Sequence, residues 1–169
     1  MTDVETNDAR ALVAALADES RRESAFAELV ALGPSARDAV RAGLGDGRWE
    51  VRRWCLLWFW RCPDAAEVTG LVPLLRDPKR RVRQTALLAI AHSPGAQERS
   101  EVTPLLLERA LGDESLHVRR QAVLHLAWEG AHPDLEGLFA ELLESETDPK
   151  LRKFAALGLA RCRKGTRPC

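Results

Sequence analysis

Four carboxylates in this chain are each followed, five residues on, by an aliphatic residue and an arginine. They are Asp46 with Val51-Arg52, Asp77 with Val82-Arg83, Asp113 with Val118-Arg119 and, more loosely, Glu146 with Leu151-Arg152. A carboxylate in a turn accepts hydrogen bonds from the exposed amides at the start of a helix. An arginine one turn into that helix pairs with a carboxylate of its own or of the adjacent unit. A catalytic role would require a site in every copy, so the chemistry expected of this phrase is structural: it sets stacking geometry.

The remaining chemistry-bearing residues stand out against that phrase. Four of the five tryptophans fall between Trp49 and Trp60. Aligned on the Val-Arg phrase, Trp54 takes the place of Thr85, Gln121 and Phe154, and Trp58 that of Ala89, His125 and Gly158. A tryptophan in a slot that elsewhere holds Ala, His or Gly either fills extra volume or projects from the surface. Trp54 and Trp58 lie four apart, on one helix face, and tryptophan is enriched at interface hot spots. The two rings are therefore either packing against a shorter first repeat or an aromatic patch for a partner, rimmed by Arg48, Arg52 and Arg53.

Basic residues recur just after the repeated arginine, at Arg53, Arg120 and Lys153, interrupted by Gln84. The turn of the second copy adds Arg80 and Arg81, and the C-terminal end adds Arg161, Arg163, Lys164 and Arg167. Equivalent positions line up in a stacked repeat, so these residues form an edge that either tracks phosphates or is a solvated face paired with Glu50, Glu114, Glu144 and Glu146. His92, His117, His125 and His132 show no metal-ligand spacing, and Cys55, Cys62, Cys162 and Cys169 form neither a CxxC pair nor a disulfide framework. With no phosphate-cradling glycine loop and no paired nucleophile and base, the expectation is no metal, no cofactor and no catalytic residue.

The elements that carry these residues follow from periodicity. After Val82 the apolar positions Ala86, Leu87, Ala89 and Ile90 share a face, and after Val118 so do Ala122, Val123, Leu126 and Ala127, which predicts helices. Each ends in a proline turn: Gly33-Pro34, Cys62-Pro63, Ser93-Pro94 or His132-Pro133. Ser35, Asp64 and Asp134 then stand at N-cap positions for a second, leucine-bearing helix, which runs into Gly45-Asp46-Gly47, Asp77-Pro78, Gly112-Asp113 or Asp148-Pro149. The four arginines of the phrase lie 31, 36 and 33 residues apart, a period at which each unit must stack on its neighbours to bury an apolar face. Residues 1–169 then read as one repeat domain: a capping helix within 1–18, repeats over 19–161, and a flexible basic tail over 162–169.

A second helix ending in leucines, an Asp turn, and Val-Arg-x-x-Ala opening the next helix together resemble the HEAT-like repeats of bacteria, including those of phycobilisome lyase subunits. The resemblance spans roughly residues 16–161. It implies an all-α, right-handed α-solenoid of antiparallel helix pairs, with about nine or ten helices. The function it implies first is a non-catalytic scaffold that binds a protein or peptide, here around Trp54, Trp58, Arg53, Arg120, Arg80, Arg81 and Lys153. Because some HEAT-like proteins are glycosylases that hold DNA in a basic groove, a nucleic-acid module is the alternative. An auxiliary subunit of a lyase-type enzyme is the third reading.

Composition narrows the setting. The chain has 169 residues, 46% of them hydrophobic, and 25 basic residues offset 25 acidic ones. No net field draws the whole molecule to nucleic acid or an anionic membrane. The balance is local, with one acid against seven bases over residues 148–169. The first residues lack a basic and apolar leader and no run reaches membrane-spanning length, so the expectation is a cytoplasmic protein with no membrane partner. The preference for arginine over lysine suggests a bacterial source.

Overall fold

The computed structural model describes residues 3–63, 68–93, 102–129 and 135–165, and the chain divides into two compact units, Met1–Ala96 and Gln97–Cys169. In the first unit α1 (Asp3–Ala15) packs on α2 (Arg22–Leu32) and α3 (Arg37–Gly43). Next come α4 (Trp49–Arg61), the short α5 (Val68–Leu71) and α6 (Arg80–Ala91), with α6 stacked on α4. The second unit holds α7 (Val102–Gly112), α8 (Leu116–Glu129), α9 (Leu135–Ser145) and α10 (Pro149–Gly165). There α8 packs on α7 and α10, and α10 on α9. The alternation expected from the proline and aspartate turns is thus present in each unit, and among the described residues every regular element is helical.

The repeated phrase supplies the core. Val51, Val82, Val118 and Leu151 are buried, and so are the small residues one turn on, Cys55, Ala86, Ala122 and Ala155. Small size there reflects close helix approach. A Cβ added to Gly43 of α3 would stand 2.5 Å from Cys55 Sγ and 2.8 Å from a Val13 methyl carbon, so α3 is pressed onto both α4 and α1. The N-terminal helix α1 buries Ala9 and Val13, and Leu16 just after it is buried as well.

Three local expectations are corrected. Ser35 does not cap the helix after Pro34; it lies inside a 3-10 turn, Gly33–Ala36, and α3 begins after Ala36 without a side-chain cap. Gly33 closes α2 at φ 53°, a left-handed conformation open to glycine at no Cβ penalty. The helix bearing Leu71, Leu74 and Leu75 is broken, α5 giving way to a 3-10 turn, Val72–Arg76. Pro73 is the reason, since its ring removes an amide donor and collides with the carbonyl one turn back. Finally α10 continues through Arg163 and Lys164 to Gly165, so the expected flexible tail from 162 is helical there. Residues 166–169, the caps at Asp64 and Asp134, and the turn residues Pro94 and His132-Pro133 lie outside the described residues.

Candidate interaction surface

The carboxylates of the phrase act as helix-start acceptors. Asp46 Oδ1 accepts the Arg48 amide at 2.8 Å, Asp77 Oδ1 that of Lys79 at 2.8 Å, and Asp113 Oδ1 that of Ser115 at 2.9 Å. In the fourth copy the acceptor is Asp148, which takes the Leu151 amide at 2.8 Å, and not Glu146. The turn has the same length as in the other copies, its helix starting three residues after Glu146, but the accepting carboxylate stands two residues later, so the spacing pointed to the wrong one.

The arginines of the phrase do something spacing did not reveal. Each donates to the main-chain carbonyl six residues back: Arg52 to Asp46 at 2.7 Å, Arg83 to Asp77 at 2.8 Å, Arg119 to Asp113 at 3.1 Å and Arg152 to Glu146 at 3.3 Å. Arg22 makes the same clasp to Leu16 at 2.8 Å, which marks a fifth copy that keeps of the phrase only the arginine and the buried small residue after it, Ala25. The guanidinium fork satisfies carbonyls left over at the preceding helix end while its stem lies along the next helix. Arg52 also spans repeats, gripping Asp77 with two bonds of 2.7 and 3.1 Å.

Of the residues expected to meet a partner, several are otherwise engaged. Trp58 has no exposed surface and donates its indole N–H to the Leu29 carbonyl at 2.8 Å, with Phe59 edge-on at 5.2 Å. It is core, filling space between α2 and α4, and cannot belong to a docking patch. Trp54 is half-buried, edge-on to Phe26 at 4.8 Å. Arg120 is likewise no free cation, because Asp148 binds it with two bonds, that to Nε at 2.8 Å. This pairing holds the Asp148 carboxyl well below the usual carboxylate range. Arg48 similarly lowers Asp46 to about 2.

The others remain accessible. Lys153 is exposed on α10. Arg80 and Arg81 are exposed at the start of α6, where with Lys79 and Trp49 they line an open cavity of about 230 Å³, and the Arg81 guanidinium lies 5.7 Å from the Trp49 ring. Arg53 is half-buried on α4. Burial, and after it the charges of Arg81 and Arg22, pull its pKa down.

A further surface centres on Trp128, which sequence reasoning did not single out although it named Arg161 beside it. Trp128 near the end of α8 is 61% exposed, with the Arg161 guanidinium of α10 stacked 4.7 Å from its ring. Leu157, one turn before Arg161 on α10, is 37% exposed. A signal existed: aligned on the Val-Arg phrase, Trp128 falls on Arg61, His92 and Arg161, so the position is polar in the other three copies that carry the phrase. Buried thiols offer no counterpart chemistry, since Cys55 is enclosed and burial pushes its pKa up to about 12. Among the described residues no His, Cys, Asp and Glu are grouped to hold a metal, and no helix is long and apolar enough to cross a membrane.

The family model for HEAT repeats matches residues 68–160. The chain belongs to the HEAT-repeat family. Two solved structures are similar to this HEAT-repeat chain. An engineered protein aligns with a TM-score of 0.67 and 19% identity, over 93% of this chain and 80% of its own. A chain from the complex of CpcE and CpcF of phycocyanin lyase from Nostoc sp. PCC7120 aligns with a TM-score of 0.73 and 19% identity, over 89% of this chain and 96% of its own. At these identities the likeness is one of fold, that of an all-α solenoid of helix pairs. No curated protein matches the sequence.

Proposed function

We propose that this HEAT-repeat chain is a non-catalytic binding module for another protein, which it takes on the Trp128–Arg161 face of its second unit. The observation that carries this reading is an indole left 61% exposed with an arginine stacked over its face. Water contact with so large an apolar ring is unfavourable, and a cation over its face is attracted to it. Trp and Arg are the residue types that dominate interface energetics. Leu157 extends the apolar surface on α10. The Nostoc chain of the same fold is one protein of a two-protein complex, which agrees with a partner here, whether a scaffold client or an enzyme that this chain assists.

Affinity capture from the source cell with wild type and with Trp128→Ala/Arg161→Ala, followed by mass spectrometry, tests the reading. Recovery of the partner is expected to fall by about tenfold or more in the double variant, as for loss of a hot spot, with helix content by circular dichroism unchanged. The same proteins recovered in the same yield would overturn it.

A further inference from the structure

The first unit gathers Arg53, Lys79, Arg80 and Arg81, for which no carboxylate partner is found among the described residues. Arg53 on α4 is half-buried and Arg81 and Arg22 are the charges nearest in effect, both of its own sign. Arg22 donates to the carbonyls of Leu16 and Ala17 at 2.8 and 3.1 Å, which neutralise none of its charge. Lys79, Arg80 and Arg81 line a cavity with Trp49, and Arg81 is the lining residue whose charge reaches Arg53. Among the described residues none of Arg53, Lys79, Arg80 and Arg81 pairs with a carboxylate. In the same unit Arg48 and Arg52 are neutralised by Asp46 and Asp77. Like charges gathered at a partly desolvated site repel one another, and an anion relieves the repulsion.

We propose that this corner of α4 and α6 binds an acidic segment of the partner protein, with Arg53, Arg80 and Arg81 receiving its carboxylates. The inference rests on the reading of the chain as a protein-binding module and adds the chemical class of what is bound. The geometry favours carboxylate side chains. Arg81 lies over the Trp49 ring at 5.7 Å, an arrangement that leaves the edge of a guanidinium free to grip a carboxylate with two bonds. The cavity, about 230 Å³, suits one or two such side chains. A nucleic-acid backbone needs cations repeated along its length. That repetition fails here: the position equivalent to Arg53 is Gln84 in the next copy, and in the one after it Arg120, which Asp148 neutralises.

Fluorescence anisotropy on the purified full chain distinguishes the cases. The probes are a labelled glutamate-rich peptide, a neutral peptide of the same length, and a short DNA duplex of the same total charge. The acidic peptide is expected to bind at low salt, to weaken as salt rises, and to lose at least about tenfold in affinity in Arg80→Glu/Arg81→Glu, a charge-reversal comparable to truncating a hot-spot pair. The milder Arg80→Gln/Arg81→Gln should lose several-fold with an unchanged circular dichroism spectrum. Trp128→Ala/Arg161→Ala should bind the acidic peptide as wild type does, so loss of the second-unit surface and loss of this site are read separately. No binding of the acidic peptide, equal binding by both charge variants, or tighter binding of the duplex would overturn the proposal, the last in favour of nucleic acid.

Discussion

Asp77 is asked to do two things at once. It caps α6 through the Lys79 amide and holds Arg52 of the preceding repeat, and the pair is largely removed from water, with 3% of the Asp77 side chain and 12% of the Arg52 side chain exposed. Removing one partner of such a pair strands the other charge in a poorly solvated place. Asp77→Ala is therefore expected to destabilise the chain by about 3 kcal/mol. Asp46→Ala, which loses a cap and a half-exposed pair with Arg48, should cost about 1 kcal/mol. Urea unfolding midpoints measure both, and equal losses would show that the link between repeats adds nothing to the cap. At this scale sequence told which residue types recur but not what each one holds. The carboxylate role was legible in the spacing to the helix start. The clasp from arginine to a carbonyl six residues back was not, because a main-chain acceptor leaves no mark in residue identity.

Helices explain why Trp58 was ambiguous in sequence even with Gly158 aligned against it. The two occupy the same position in their repeats, yet one helix offers the largest side chain and the other none. In α10 the missing side chain is replaced from the neighbouring helix: a Cβ on Gly158 would sit 2.4 to 2.6 Å from the ring of buried Phe139 in α9. In α4 the indole itself fills the space and is anchored on the Leu29 carbonyl of α2. Volume is conserved across the pair of helices and not at the position, so no alignment of single sites could tell filler from surface. Gly158→Ala would gain helix propensity worth about 1 kcal/mol and lose more to overpacking, for a net destabilisation of about 1–2 kcal/mol. Adding Phe139→Leu should recover part of the loss in a thermal melt. A Gly158→Ala protein more stable than wild type would refute this account of the contact. Helix order, the proline turns and the stacked cores were readable from periodicity. The break at Pro73 was hidden because leucines on both sides kept the helical pattern.

Across the whole chain the same acidic turn recurs, in Asp18, Asp46 and Asp148, and in each the carboxyl is lowered, first by a side-chain hydrogen bond, from Ser20, Arg48 and Arg120 respectively, and also by main-chain amides. A carboxylate with a depressed folded pKa adds stability that is fully present above its unfolded value, near about 4, and is lost as pH falls through the folded value. For Asp46 that value is about 2. Stability is therefore expected to be level from neutral pH down to about 5 and to decline from about 4 to 2. Asp46→Asn/Asp148→Asn should flatten the decline, as followed by urea midpoints at successive pH values. A main loss of stability above pH 5 would point to other groups. The clasp that closes each of these turns runs between residues only six apart, so its donor and acceptor are copied together whenever a repeat is copied. Duplication or deletion of a helix pair would leave every remaining turn fastened, which makes the length of such a chain free to change in evolution without redesign of its joints.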